Sequence, residues 1–455
     1  MRALPAAFSA VAVPLLSIVG GEVWQLTANL RYRVAPASPS ATMDAVVYEA
    51  HGEAREALRV DHARAQPATT APPGFVVIRV AAAALNPVDF KQLRNEQPDA
   101  LVPKPRIAGF DVSGIVVSAG EGTGFEVGDA VYGMLPLVGS PWGSLARLTA
   151  APASCFARAP TSVPLEDAAA LPLVSLTVMQ VFEQAGLRPG EDRTGQALLV
   201  QAAAGGVGSF AVQYARRVLG FERVLGTCSA RNAERVRQLG ATSTIDYASE
   251  AFDAAVRAAG GVDAVLDPMA WSYMGRTLDP ASGVLRPRAA YCHILSTDWA
   301  PNSLETSLLV VLQGPFAKWC SRLVRLFRPD APRVFSTPVQ PDADGLARLA
   351  RLVDGGLVKP VIDRYFDGLD SAVEALEYLQ TGRARGKVVV RLGGGPPSYL
   401  SPRAASAPKS YKPGLCMIYV NWMVTQDCNH DQRESGSERL FFASFFRGNV
   451  LSKTE

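Results

Sequence analysis

The sequence predicts an α/β protein of two lobes, one rich in short strands and one a doubly wound parallel sheet wrapped by helices. Three observations carry this. Short β-branched runs punctuated by glycine and proline fill residues 44 to about 160. From residue 197 to about 295, strand and helix signals alternate. A final strand-like run, "KVVVRL" at 387–392, follows that alternation. At 455 residues the chain is long enough for two or three domains.

In the first lobe, "AVVYEA", "GFVVIRVAAAAL", "DVSGIVVSAG" and "GDAVYGML" read as strands, which suggests a barrel-like unit. "PLEDAAALPLVSLTVMQVFEQAG" then has apolar residues at helical spacing, with Glu166 and Asp167 near its start. The alternation begins with "ALLVQAA" as a buried strand and Val207 to Leu219 as a helix. "RVLGTCS" is the next strand, and "NAERVRQLG" a helix closed by Gly240. "STIDY", "VDAVLDPM" and "AAYCHIL" are further strands, with "AFDAAVRAAG" a helix among them. "LETSLLVVLQGPFAKWCSRLVRLFR" is apolar but broken by Gly314, Pro315 and charges, so it reads as a packed helix pair rather than a membrane span. "DGLARLARLVDGG" is an amphipathic helix with a glycine stop.

The two ends differ in character. Residues 1–42 carry Arg2, an apolar run from Ala6 to Val19 and a single acid, Glu22. They read either as a targeting segment, transit-like in composition, or as an over-extended start ahead of Met43. Residues 394–455 open with a Pro/Ser/Gly-rich linker, and no element of domain size follows, so the sequence predicts a disordered tail.

"VQAAAGGVGSFAVQYARR", residues 200–217, carries the chemistry. A phosphate-binding loop needs a sharp turn after a strand, a backbone that approaches the pyrophosphate, and a helix N-terminus aimed at the anion. Ala203, Gly205 and Gly208 align on the G-x-G-x-x-G fingerprint with alanine in the first position. Gly206 and Val207 complete the candidate loop. The loop follows a strand, opens a helix and starts a βαβ unit, as the fingerprint requires. An NAD site wants a carboxylate about 20 residues on, for the ribose 2′-hydroxyl. Here the next strand ends "GTCSARN", without an acid. Ser229, Arg231 and Asn232 suit a 2′-phosphate, so the expected cofactor is NADPH.

Composition excludes other classes. A net charge of +3 with no dense basic stripe argues against nucleic acid. The six cysteines form no C-x-x-C, which argues against a disulfide framework and against a common zinc site. His293 reads as an interior histidine. Cys416, Cys428 and His430 have no standard metal spacing.

Residues 43–393 resemble the medium-chain dehydrogenase/reductase superfamily in its zinc-free quinone oxidoreductase and enoyl reductase branch. The stretches that carry the likeness include "ALNPVDFKQLRN", "AGFDVSGIVVSAGEG", "AAALPLVSLTV", "QAAAGGVG", "LGATSTIDY" and "GRARGKVVVRL". The insertion around residues 304–334 is similar to the subgroup with the reticulon-interacting mitochondrial oxidoreductase. The resemblance implies a GroES-like catalytic domain over 43–168, a Rossmann NADPH-binding domain over 169–338, and a return to the first domain over 339–393. Zinc-dependent relatives supply Cys and His ligands where this chain reads "NPVDFK" and "GFDVSG". The implied reaction is hydride transfer from NADPH to a quinone or an α,β-unsaturated carbonyl compound.

For catalysis the resemblance points to Asn86, to Lys91 as an oxyanion donor, and to Tyr132 lining the cleft, with Asp89 as a structural partner. For the cofactor it adds Thr177 beside the nicotinamide, Tyr247 flanking the adenosine phosphate, and Lys387. Asp267 is read as a partner for backbone groups at the sheet's switch point. A homodimer is expected for such folds. Two other readings stay open: an NADPH-binding interaction or membrane-associated protein that docks through 306–327, and an enoyl reductase acting in trans with a polyketide synthase.

Overall fold

A computed structural model of the chain describes residues 37–94, 104–137, 140–269, 271–294, 328–336 and 338–393. The sixteen strands among them form three sheets. The first is small: β1 (Ala37–Tyr48) lies between β2 (Arg59–Pro67) and β4 (Arg106–Ile107). β1 begins ahead of Met43 and pairs Ala37 with Pro67 and Thr42 with Ala65, so the first lobe takes in residues that the sequence assigned to the extension.

The second sheet comprises β3 (Phe75–Leu85), β5 (Asp111–Ala119), β6 (Ala130–Met134), β7 (Leu148–Pro152), β8 (Phe156–Arg158), β15 (Ile362–Asp367) and β16 (Lys387–Arg391). Its order is β15-β16-β3-β5-β6-β8, with β7 paired to β3. The late strands therefore return to the first lobe, with Val389 opposite Ala84.

The third sheet is wholly parallel. Its strands are β9 (Ala197–Val200), β10 (Arg223–Cys228), β11 (Ser243–Asp246), β12 (Val262–Asp267), β13 (Leu285–His293) and β14 (Arg333–Ser336), in the order β11-β10-β9-β12-β13-β14. The chain runs outward one way from β9 and then resumes on its other side at β12. Ligands of open parallel sheets bind at the carboxyl ends of the strands beside such a switch.

Between the lobes, the single helical signal of the sequence divides in two, Leu165–Ala168 and Pro172–Gln184. Pro172 has no N–H for an unbroken helix and starts the second one. From Pro172 to Phe182 every residue except Gln180 is buried, as in helices apolar on all sides. Leu176 and Phe182 join a core that also takes Phe110, just ahead of β5, Tyr132 from β6, Phe210 from the helix Gly206–Arg217 that follows β9, and Leu346 from the helix Ala343–Asp354. Full burial of each such side chain stabilises by about 1.5–3 kcal/mol, so the two sheets share one apolar seam. All but the last residue of the apolar pair expected at 304–328, the Cys416/Cys428/His430 group and the C-terminal tail lie outside the described residues.

Candidate functional site

The glycine loop leaves β9 at Val200 and turns through Ala202, whose φ is +48°. The Ala202 carbonyl accepts the Gly205 N–H at 3.0 Å. Gly205 is extended (φ −77°, ψ 179°) and precedes the helix Gly206–Arg217. No side chain caps that helix and no acid stands in its first turn, so its N–H groups and positive dipole end are available to an anion.

The three motif positions do different work. A Cβ at Gly208 would lie 2.2 Å from the Ala202 oxygen and 2.7 Å from the Ala203 Cα, so only glycine lets the helix pack on the loop. A Cβ at Gly205 would meet only the Ala202 oxygen, at 3.4 Å, leaving its other side open. Ala203 is fully buried, and its methyl lies 2.8 Å from where a Cβ of Gly226 would stand. The glycine missing from position 203 is thus supplied by the facing strand. Gly226 inside "RVLGTC" was the available signal, since a strand glycine marks a close approach of another group.

At the end of β10, Ser229 Oγ accepts from Asn232 Nδ2 at 3.0 Å. Asn232 is buried and Arg231 is exposed in the short turn Ala230–Asn232. Tyr247 follows β11 at 56% exposure, and its N–H reaches the Cys228 carbonyl at 3.4 Å. Ser229 and Tyr247 therefore stand at adjacent strand ends. On the neighbouring strand Asp246, opposite Cys228, accepts the Ala248 N–H and the Ser249 hydroxyl. The stretch "GTCSARN" itself carries no acid, while Asp246 stands at the neighbouring strand end.

The catalytic residues expected from the resemblance are placed differently. Asn86 is 1% exposed. Its Nδ2 donates to Asp111 Oδ2 at 2.9 Å and to the Ala84 carbonyl at 3.3 Å, and its Oδ1 accepts from Lys387 Nζ. Its amide is thus engaged at both ends within the protein. Lys387, not Lys91, is the lysine of this network: its ammonium, 4% exposed, also binds Asp111 Oδ2 at 2.9 Å. Its stem packs on the start of the glycine-loop helix, with Cδ 3.2 Å from a Cβ at Gly206. Lys91 sits in the last turn of the helix Pro87–Leu93. Asp111 Oδ1 accepts the Leu173 N–H at 2.8 Å, a carboxylate at the N-terminus of Pro172–Gln184.

Burial pushes the Asp111 carboxyl up, against the opposing pull of Lys387 and Asn86. Burial likewise lifts Asp89 to about 7. Asp89 Oδ2 accepts the Asn86 N–H at 2.6 Å, so the structural role expected for Asp89 has a named partner. The network joins β3, β5 and β16 to the helix that enters the nucleotide lobe.

Tyr132 is corrected outright. It is fully buried, and its hydroxyl donates to the Leu346 carbonyl at 2.6 Å, which closes the seam between lobes instead of lining a cleft. Thr177 is buried and spends its hydroxyl on Leu173 O in its own helix, 2.7 Å away. Asp267 accepts from the Met269 N–H at 2.8 Å and the Tyr291 hydroxyl at 2.7 Å, as a switch-point partner should. His293 is buried beside Tyr291, with its pKa lowered to about 4 by burial. Among the described residues, no group of three or more His, Cys, Asp or Glu is arranged to hold a metal ion, and no helix is long and apolar enough to cross a membrane.

A strand-rich lobe that clasps a parallel-sheet lobe, with a glycine loop at the switch, defines a dinucleotide-dependent dehydrogenase or reductase. Residues 72–161 match the alcohol dehydrogenase GroES-like domain, and residues 239–390 match the zinc-binding dehydrogenase family. The chain is 33% identical over 321 residues to 2-methylene-furan-3-one reductase of Solanum lycopersicum, covering 69% of this chain and 71% of that protein. It is 32% identical over 321 residues, with the same coverage, to the chloroplastic NADPH-dependent alkenal/one oxidoreductase of Arabidopsis thaliana. A quinone oxidoreductase structure from Coxiella burnetii superposes with a TM-score of 0.62 at 27% identity, over 77% of this chain and 99% of that one. The protein belongs to the medium-chain dehydrogenase/reductase superfamily, in its quinone oxidoreductase branch.

Proposed function

We propose that the protein is an NADPH-dependent oxidoreductase that reduces a quinone or an α,β-unsaturated carbonyl compound. The observation that carries the cofactor assignment is the open side of Gly205 at an uncapped helix N-terminus, beside a strand end whose own turn holds Ser229 and Arg231 and no acid. The relatives' names carry the reaction class: one reduces a furanone bearing an exocyclic methylene, another is an NADPH-dependent alkenal/one oxidoreductase. When bound, NADPH supplies a hydride from nicotinamide C4.

The chain's own residues bind and orient. Gly205, Gly206, Val207 and Gly208 offer backbone N–H groups to the pyrophosphate. Ser229 and Arg231 take the 2′-phosphate, Asn232 holds the Ser229 hydroxyl, and Tyr247 stands beside the adenosine end. Lys387, Asn86 and Asp111 fix the entry helix that bears Thr177 against the catalytic lobe. On this reading the nucleotide lobe is 169–338, and the catalytic lobe is Ala37 to 168 together with 339–393.

Rates of NADPH consumption across quinones, 2-alkenals and enoyl thioesters test the proposal. Turnover of at least one class, faster with NADPH than NADH, is the expected result. Tight NADPH binding with no turnover across the panel would overturn it.

A further inference from the structure

We infer that Thr227 and Gln201 are positioning residues for the cofactor, holding the glycine loop in its phosphate-receiving shape. The inference rests on the NADPH reading above and deepens it. Ala202 sits at φ +48°, a left-handed conformation that is unfavourable for an alanine and persists only where its surroundings over-determine it. The surroundings are Thr227. Its Oγ1 accepts the Ala202 N–H at 3.0 Å, and its carbonyl accepts the Ala203 N–H at 2.9 Å. Two successive N–H groups of the loop are thus fastened to one residue of the neighbouring strand.

The hydroxyl has a single proton, and its destination fixes its direction. Thr227 Oγ1 donates to Gln201 Oε1 at 2.7 Å, which leaves its lone pairs for Ala202. Gln201 is fully buried, and its own N–H pairs with the Leu266 carbonyl at 3.0 Å, so the acceptor is anchored on β12. Its Nε2 is buried with no partner among the described residues, so an amide is kept here although only its oxygen is used. An apolar side chain would serve packing equally well and avoid that cost. The chain of bonds therefore runs from β12 through Gln201 and Thr227 to Ala202, and from the Ala202 carbonyl to the Gly205 N–H. It sets the orientation of Gly205 and of the helix N-terminus that follows.

Full-length wild type, Thr227→Val, Thr227→Ser and Gln201→Met are titrated with NADPH and assayed for turnover. Thr227→Val keeps shape and loses the hydroxyl. It should weaken NADPH binding about tenfold and raise the KM for NADPH by more than it lowers kcat. Thr227→Ser should restore wild-type affinity, and Gln201→Met should weaken binding several-fold. Thr227→Val that is folded and binds NADPH like wild type overturns the inference, as does Thr227→Ser binding as weakly as Thr227→Val. Should Thr227→Val not fold, unchanged affinity in Gln201→Met overturns it. Wild type that binds no NADPH sinks the proposed function instead.

Discussion

Two glycines three residues apart should respond to the same substitution in opposite ways. At Gly205 the backbone is extended and open to any residue, and an added Cβ would meet one atom, the Ala202 oxygen, at an ordinary 3.4 Å. Gly205→Ala should therefore leave stability unchanged or raise it by about 0.4–1 kcal/mol through the unfolded chain. Its methyl would occupy the open side that the pyrophosphate approaches. Loss of one charge-assisted hydrogen bond, about 1.5–3 kcal/mol, corresponds to a roughly ten- to hundredfold loss of NADPH affinity. At Gly208 the same methyl would lie 2.2 Å from the Ala202 oxygen and 2.7 Å from the Ala203 Cα, both backbone atoms. The helix must move, at an overpacking cost of about 1–3 kcal/mol or more. Urea unfolding and NADPH titration of both variants separate the two effects. A Gly205→Ala protein that unfolds early, or that binds NADPH as tightly as wild type, refutes the division of labour.

Three further outcomes follow from single groups. Arg231→Ala should weaken NADPH about tenfold and leave NADH nearly unchanged, measured at fixed ionic strength because the side chain is exposed; equal weakening of both cofactors removes Arg231 from phosphate recognition. Burial lifts Asp89 from 3.8 to about 7, so the stability its neutral form contributes is full below the unfolded value and is lost as pH rises through 7. Wild type should then lose about 2–3 kcal/mol between pH 5 and 8 from this group, a loss absent in Asp89→Asn, and a variant-to-wild-type difference that does not change with pH rules this out. Tyr132→Phe removes the hydrogen bond to the Leu346 carbonyl, which keeps its partner within the helix, and should cost about 0.5–1.5 kcal/mol of stability with kcat preserved; a collapse of kcat in a stable protein would return Tyr132 to the chemistry.

Local patterning carried the fold where each strand or helix declares itself. "ALLV", "VDAVLD" and "KVVVR" are apolar on both faces because both faces are covered, and they were legible as buried strands. β15, "IDRYFD", escaped because only Phe366 is buried and its edge position leaves the rest polar. β1 ran past Met43 because "ASPSAT" has no strand pattern; its pairing with β2 is a tertiary fact. The same distinction separates the site residues. Backbone features such as Gly205, Gly208 and the acid-free turn after β10 are local, and the sequence displays them directly. Side-chain partners are not local: Lys387 lies 301 residues from Asn86, and Tyr132 lies 214 residues from Leu346. Lys91, five residues from Asn86, is near in sequence, but the fold brings the strand-end Lys387 to Asn86 instead.

The missing first glycine shows what a motif omits. Read as a string, Ala203 is a defect in the fingerprint. Read as volume, the crossing between loop and strand has room for one methyl, and Ala203 takes it because Gly226 gives it up. The turn itself is made by Ala202, which is held at positive φ by Thr227 rather than freed by the absence of a side chain. Two ordinary residues plus a hydroxyl thus perform what the fingerprint assigns to one glycine. The substitution is stable only as a set, so replacing Gly226 with alanine should disrupt the loop even though residue 226 lies outside the motif.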